Sequence, residues 1–260
     1  MMKSLLNRFK NSHSFKDFYT DWIKTLKSTL LPLLTNSLSS SSPDPLLLST
    51  QLDLLHKHFN SYFSALDLAS NDDVSQLLFP DWRNPIEKPF LWLGDFHPYI
   101  FTNLLRSFFD DDDDDDVDSD ECDDGKRFHS MGKAWNVWKC PDVSLGHIVE
   151  QMECGLRLMV PSIAARSRDA QAALVEKLGV GWREKGENFE VGEVIHELVD
   201  DMTCVFMDAN RLRRSVLADI MGALNVYQAA IFFHSLAQFY VGFWDNKLLT
   251  QFNNSKLTLD

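Results

Sequence analysis

Apolar residues recur along this chain at intervals of three and four, the repeat of a helix face turned toward a core. The first run begins behind Ser14, which forms an N-cap arrangement with Asp17, and sets Phe15, Phe18, Tyr19, Trp22, Leu26, Leu30 and Leu33 on one stripe. Pro32 falls late in that pattern and is expected to kink or end the helix, because its ring strikes the carbonyl four residues back. A Ser- and Pro-rich loop follows from Leu38 to Pro45. A second helix is expected from Leu46 to about Ala69, with Leu48, Leu52, Leu55, Phe59 and Phe63 as its buried edge.

The segment from Phe79 to Pro89 carries three prolines and reads as an irregular connection into a short helix around Phe90 to Gly94. Gly94 and Pro98 are natural stops, and another helix is expected from Pro98 to about Phe108. Further on, past Trp135 and Trp138, helical patterns cover Val143 to Leu178, interrupted by Pro161, and then Val191 to Asp208. A third, from Ala209 to about Val241, carries Leu212, Val216, Ile220, Leu224, Tyr227, Ile231 and Phe239. Alternating apolar and polar positions are scarce, so the pattern predicts an all-α fold, a multi-helix bundle with a disordered acidic loop in the middle.

Charge explains the loop. The formal net charge is -13, but twelve acids lie between Asp110 and Asp124, so the rest of the 260 residues is close to neutral. Like charges at every position repel, and nothing apolar is there to bury. The expected organisation is a flexible N-terminus over 1–13, two halves of one helical domain over 14–109 and 126–250, the acidic loop over 110–125, and a tail over 251–260. With no basic excess outside the loop, direct nucleic-acid binding is not expected. Four cysteines without a CxxC spacing, and no secretory signal pattern at the start, read as reduced thiols in an intracellular protein.

Candidate chemistry is thin. His196 and Glu197 open a His-Glu-x-x motif, but Asp200 stands where a zinc site needs its second His. His56 and His58 flank Lys57 and point roughly 200° apart on a helix, too far apart to share a ligand. The acidic tract lacks the Gly-punctuated spacing of an EF-hand. Ile220 to Trp244 contains no charged residue and is long enough to cross a bilayer. Asn225, Gln228, His234, Ser235 and Gln238 are spread around it, and no Lys/Arg cluster follows, so it reads as a buried bundle helix. Without a phosphate loop, nucleophile elbow or paired catalytic carboxylates, the chain is not expected to be an enzyme, and no cofactor or metal is expected.

Three phrases, FKDFYTDWIKTL (Phe15 to Leu26), FLWLGDFHP (Phe90 to Pro98) and the stretch Asp208 to Trp244 with its Asp-Ala-x-x-Leu-Arg and Gln-Ala-Ala, resemble in order the plant delay-of-germination domain, which also forms the C-terminal part of TGA-type bZIP factors. The likeness leaves out the DNA-reading part of those factors. Length and the central Asp tract are most similar to family members that mark aperture sites on developing pollen. The resemblance implies a non-catalytic developmental regulator that binds other proteins. It further implies a cytoplasmic location enriched at plasma-membrane patches, where exine is not deposited.

One alternative is a transcriptional co-regulator of TGA-type factors in the nucleus. Another is a ligand-sensing regulator holding haem or a small apolar molecule against His234, although Tyr240 stands where haem-binding relatives are expected to carry a His. Within the phrases, Trp22, Phe90, Trp92, Gly94, Phe96, Pro98, Arg211 and Gln228 are the expected fold determinants. Asp110, Asp111, Asp112, Asp113, Asp114, Asp115 and Asp116 are the expected acidic interaction loop, a flexible arm that either recruits a basic partner or keeps the domain away from anionic lipid, the other reading being a solvated insertion with no specific partner.

Overall fold

Ser14 caps the first helix as its position predicts, its hydroxyl accepting the Asp17 N–H, and α1 (Phe15–Thr25) buries Phe15, Phe18, Tyr19, Trp22 and Ile23. The computed structural model describes residues 14–40, 42–108, 138, 143–186 and 189–255. The acidic tract with Asp110–Asp116 and the N-terminal 1–13 therefore lie outside the described residues. Over Leu26–Leu30 the first helix widens into a π turn and resumes as α2 (Leu31–Leu38). Pro32 does not end it. Proline sits in the first turn of α2, where its missing N–H is not needed, and the wide turn draws back the carbonyl it would strike. The π turn holds one extra residue, which advances the buried face by one position: Leu34 is fully buried while Leu33 is 44% exposed.

Asp44 accepts the Leu46 N–H and opens α3 (Pro45–Leu78), which runs past the expected end at Ala69. Its one break is at Asp73, whose backbone leaves helical values (φ -160, ψ 94) and whose carboxylate recaps the last turns by accepting the Ser75 N–H. The predicted buried edge from Leu48 to Phe63 does face the core.

The expected short helix over Phe90 to Gly94 is instead a hairpin. After a single 3-10 turn (Lys88–Phe90), β1 (Leu91–Trp92) pairs antiparallel with β2 (Asp95–Phe96), Leu91 opposite Phe96 and Trp92 opposite Asp95. Leu93 (φ 47) and Gly94 (φ 83) both take left-handed backbone, the requirement of a two-residue hairpin turn of the I′ kind. Gly94 also lies against α3, where a Cβ would stand 2.5 Å from the Leu77 carbonyl oxygen. Pro98 then leads into α4 (Tyr99–Arg106).

Among the described residues, the second half is three long helices and a short one. α5 (Val143–Lys185) passes through Pro161 without ending. That residue and Arg157, whose carbonyl loses its donor, are both exposed, so water can take the freed acceptor. α6 (Val191–Ala223) is continuous across the expected join at Asp208–Ala209. The true break is at Leu224 and Asn225, where the Asn225 side chain accepts the Tyr227 and Gln228 N–H groups and the Gln228 side chain accepts the Asn225 N–H. This capping box starts α7 (Val226–Gly242), and α8 (Asn246–Asn254) crosses the expected boundary between domain and tail.

α7 is the axis of the bundle. Ala229 to His234, Leu236, Ala237 and Tyr240 are all buried, packed by α2, α3 and α4. The apolar stretch Ile220 to Trp244 is thus two helix segments broken at a cap, and no described helix is long and apolar enough to cross a membrane. The fold is all-α, with the two-stranded hairpin as the only sheet among the described residues.

Candidate functional site

Two arginines hold the hairpin from beneath. The connection between α3 and the hairpin turns Arg83 fully inward, where its guanidinium donates to Asp95 Oδ1 at 2.8 Å, to the Tyr19 hydroxyl at 3.1 Å and to the Tyr62 hydroxyl. The same guanidinium lies over the Tyr19 ring at 4.6 Å and the Phe96 ring at 5.2 Å. Glu87, four residues later, comes within 3.7 Å of Arg83 and accepts from Tyr19 at 3.2 Å and from the Trp244 indole at 3.0 Å. Arg213 of α6 donates to the carbonyl of Phe96 at 2.7 Å, to that of Trp92, and at 3.3 Å each to those of Leu93 and Asp95. A strand pair this short cannot satisfy its own backbone, and the guanidinium fork does it instead.

The four charges, Arg83, Arg213, Asp95 and Glu87, balance each other inside the core. Burial works against the charge of Arg83, but Tyr19, Tyr62, Asp95 and Glu87 more than offset that and raise its pKa. Burial likewise pushes the Glu87 carboxyl up, with Arg83 pulling the other way. Burial, with a further push from the Asp95 carboxylate, raises the hydroxyls of Tyr62 and Tyr240 well above their ordinary values, so both stay neutral. Tyr62 uses its proton on Asp95 at 2.8 Å. These groups face one another and packed rings, not a cleft, and their chemistry is that of a lock on the hairpin.

The expected fold determinants fall into three groups. Trp22, Phe96 and Gln228 are buried: the Trp22 indole donates to the His58 carbonyl at 2.9 Å and stacks on the His58 ring at 4.8 Å, and Phe96 packs edge-on to Tyr240 at 4.9 Å. Trp92, Gly94 and Pro98 shape the hairpin and its exit, with Arg213 over the Trp92 ring at 5.5 Å, while the half-exposed Phe90 packs on Phe239 and Phe243. Arg211 is the exception. It is exposed and pairs with Asp208 at 2.8 Å, whereas the arginine that enters the core is Arg213, two residues on.

Arg83, Glu87, Asp95 and Arg213 carry the network and were not singled out in the sequence. A signal existed for Arg213, which stands on the apolar stripe of Ala209, Val216 and Ile220, where a solvated arginine does not belong.

His234 lies in the middle of α7, 4% exposed, with Nε2 at 2.9 Å from the Thr35 hydroxyl of α2. Burial lowers its pKa to about 4. Its ring nitrogen is engaged and no face is open to a flat macrocycle, so the residues present do not fit haem. His56 bonds Asn60, and His58 is turned into the core against the Trp22 carbonyl. His196 and Asp200 stand 3.9 Å apart on the exposed side of α6, and no described group of three His, Cys, Asp or Glu side chains is gathered as a metal site would need.

The other surface of note is the distal end of the α5–α6 pair. On the body side, Ile163 of α5 packs with Val205 and Ala209 of α6 against Trp92 and Leu93. Apart from Gly181, the last buried residue of α5 is Ala170 and the first of α6 is Met202, so beyond them the two helices run on as an exposed hairpin arm.

Residues 30–107 match the family model described as seed dormancy control. Over 264 residues the chain is 40% identical to Protein INAPERTURATE POLLEN1 of Arabidopsis thaliana, covering 96% of both chains. It belongs to the INAPERTURATE POLLEN1 family. A rice relative, the INAPERTURATE POLLEN 1 homolog, is 33% identical over 93% of this chain and 89% of its own. Transcription factor TGA2.1 of rice is 30% identical over 89 residues, 34% of this chain and 26% of its own. In this INAPERTURATE POLLEN1 family chain the seed-dormancy match holds α3, the hairpin and α4, hence Arg83, Glu87 and Asp95. The partners that close the lock, Arg213, Tyr240 and Trp244, come from beyond it.

Proposed function

We propose that this chain is a non-catalytic regulator of pollen development that helps specify aperture sites through contacts with other proteins. In this reading it works from the cytoplasm at patches of the plasma membrane, where exine deposition is withheld. The observation that carries the proposal is the likeness to INAPERTURATE POLLEN1 across 96% of both chains, since a shared domain alone would end near the boundaries of the dormancy-type match. The rice homolog, also alike over most of its length, supports the same reading. The fully buried charges Arg83, Glu87, Asp95 and Arg213 meet at the hairpin lock, which suits a scaffold.

The test is complementation. Expressed from an anther promoter in an Arabidopsis thaliana line lacking INAPERTURATE POLLEN1, a fluorescent fusion of this chain is expected to restore apertures and to collect beneath the membrane at the future aperture sites. Pollen that stays without apertures although the fusion accumulates would remove the proposal. Restored apertures with a purely nuclear fusion would retain the developmental role and overturn the membrane-patch part.

A further inference from the structure

Between the two helices of the arm lies a groove of about 680 Å³. Ala173, Val180 and Gly181 of α5 and Val194 of α6 give it an apolar floor, and Phe189 closes its tip. The Phe189 ring rests on Gly181, where a Cβ would stand 2.2 Å from it, so the tip is packed in place. Glu176, Glu184, Glu190 and Glu193 form the rim, all exposed, and the lysine at the lining, Lys177, is already paired with Glu197. A strip of apolar floor bordered by four carboxylates that pair with no cation among the described residues is half of a complementary contact.

We propose that this groove docks an amphipathic helix of a partner protein, with apolar residues at i, i+3, i+4 and i+7 and Lys or Arg on either side of them. From Ala173 to Glu184 the floor runs about 16 Å at 1.5 Å per residue, three turns of such a helix. A helix laid along the floor covers it with one stripe and brings flanking cations to both rims, the arrangement that apolar grooves use for helical peptides. A second copy of the arm would bring the same acidic rim against itself, and an anionic lipid surface would be repelled in the same way. The inference rests on the reading that the chain acts through protein contacts and names the kind of partner.

The experiment titrates the full chain into a fluorescein-labelled peptide of about fourteen residues, leucine on one helical face and lysine elsewhere, and follows anisotropy at low and moderate salt. Binding is expected, weakening with salt, and falling about tenfold or more in Glu184→Lys/Glu190→Lys/Glu193→Lys, with a smaller loss in the Gln versions. Trp182, 58% exposed and 200° around α5 from Val180, is the control: Trp182→Ala should bind as the parent does.

Because the central Asp tract attracts any polycation, the decisive quantity is the difference between parent and rim variant, which should persist when Asp110–Asp116 are replaced by Asn. An unchanged affinity in the rim variant overturns the proposal. So does equal binding of a peptide with the same composition but its leucines scattered around the helix, or loss of binding in Trp182→Ala. Sedimentation showing that the parent chain dimerises, and that Val180→Asp dissolves the dimer, would assign the groove to self-association and also overturn it. None of these failures touches the complementation result, which stands or falls on its own.

Discussion

Replacing Arg83 with Met separates the two ways the hairpin could be held, by charge or by packing. Methionine fills much of the same volume and keeps contact with the Tyr19 and Phe96 rings, so little apolar contact is lost. What disappears is the counter-charge to Asp95 and Glu87, whose side chains are fully buried. Removing one partner of a buried pair leaves the other charge unpaired in the core, at about 3–5 kcal/mol. For a chain of this length each kcal/mol moves the melting temperature by about 2–4 °C, so a fall of about 6–20 °C is expected.

The sign of the pH dependence supplies a second, independent reading. Burial already raises the Glu87 pKa, and Arg83 is the largest influence opposing it, so its loss raises that pKa further. A carboxyl whose folded pKa lies above its unfolded value favours the folded state at low pH and loses that advantage as pH rises through the folded value. Arg83→Met should therefore recover stability relative to the parent as pH falls toward the ordinary carboxyl value of 4.5, a trend that lost packing does not produce. Adding Asp95→Asn should return part of the loss, a coupling of about 0.5–3 kcal/mol between the two sites. Urea unfolding of the four proteins at three pH values gives all of these quantities. If Arg83→Met costs less than about 1 kcal/mol and the cost does not vary with pH, the charge network is not what holds the hairpin.

Gly94→Ala adds a Cβ at φ 83 and places it 2.5 Å from a backbone oxygen of α3, so it should cost about 2 kcal/mol or more by urea unfolding. The π turn makes a sharp pair: Leu34→Ala should lose about 2–5 kcal/mol and Leu33→Ala under about 0.5, and equal losses would refute the shifted register. His58 and His234, both lowered by burial to about 4, contribute stability that is whole above the ordinary histidine value of 6.5 and lost as pH falls toward 4. Below that value the slope should approach about 1.4 kcal/mol per pH unit for each, and His234→Asn should reduce it by one such unit.

Helix existence was legible because each helix repeats its apolar face many times, so the stripe Leu48, Leu52, Leu55, Phe59 and Phe63 could not be read otherwise. Helix limits were less legible, since they depend on single residues whose role is decided by what surrounds them. Pro32 looked like a stop and became the first turn of α2 because a π turn precedes it; Asn225 looked like one polar residue among several and is the cap that divides α6 from α7. The hairpin was missed for the same reason. Phe-Leu-Trp-Leu-Gly has the composition of a short helix, and only the close approach of Gly94 to Leu77 and the arginine beneath commit it to a turn.

The network under the hairpin marks the limit of pattern reading, because a periodic signal assigns a residue to a face and says nothing about who faces it. Asp95, Glu87 and Arg83 sit in a segment too irregular to have a face, and each is tolerable in the core only because the others are there. Arg213 could have been found, being the one cation in phase with Ala209, Val216 and Ile220, but Arg211 carries the same charge two residues away and points to solvent. What a buried charge needs is a partner distant in sequence, here about 120 residues away in the hairpin carbonyls. The two halves of the chain are joined by that requirement: the lock closes only when α6 and α7 have packed on α3, so the hairpin reports the assembly of the whole bundle, and loosening either arginine should loosen both halves together.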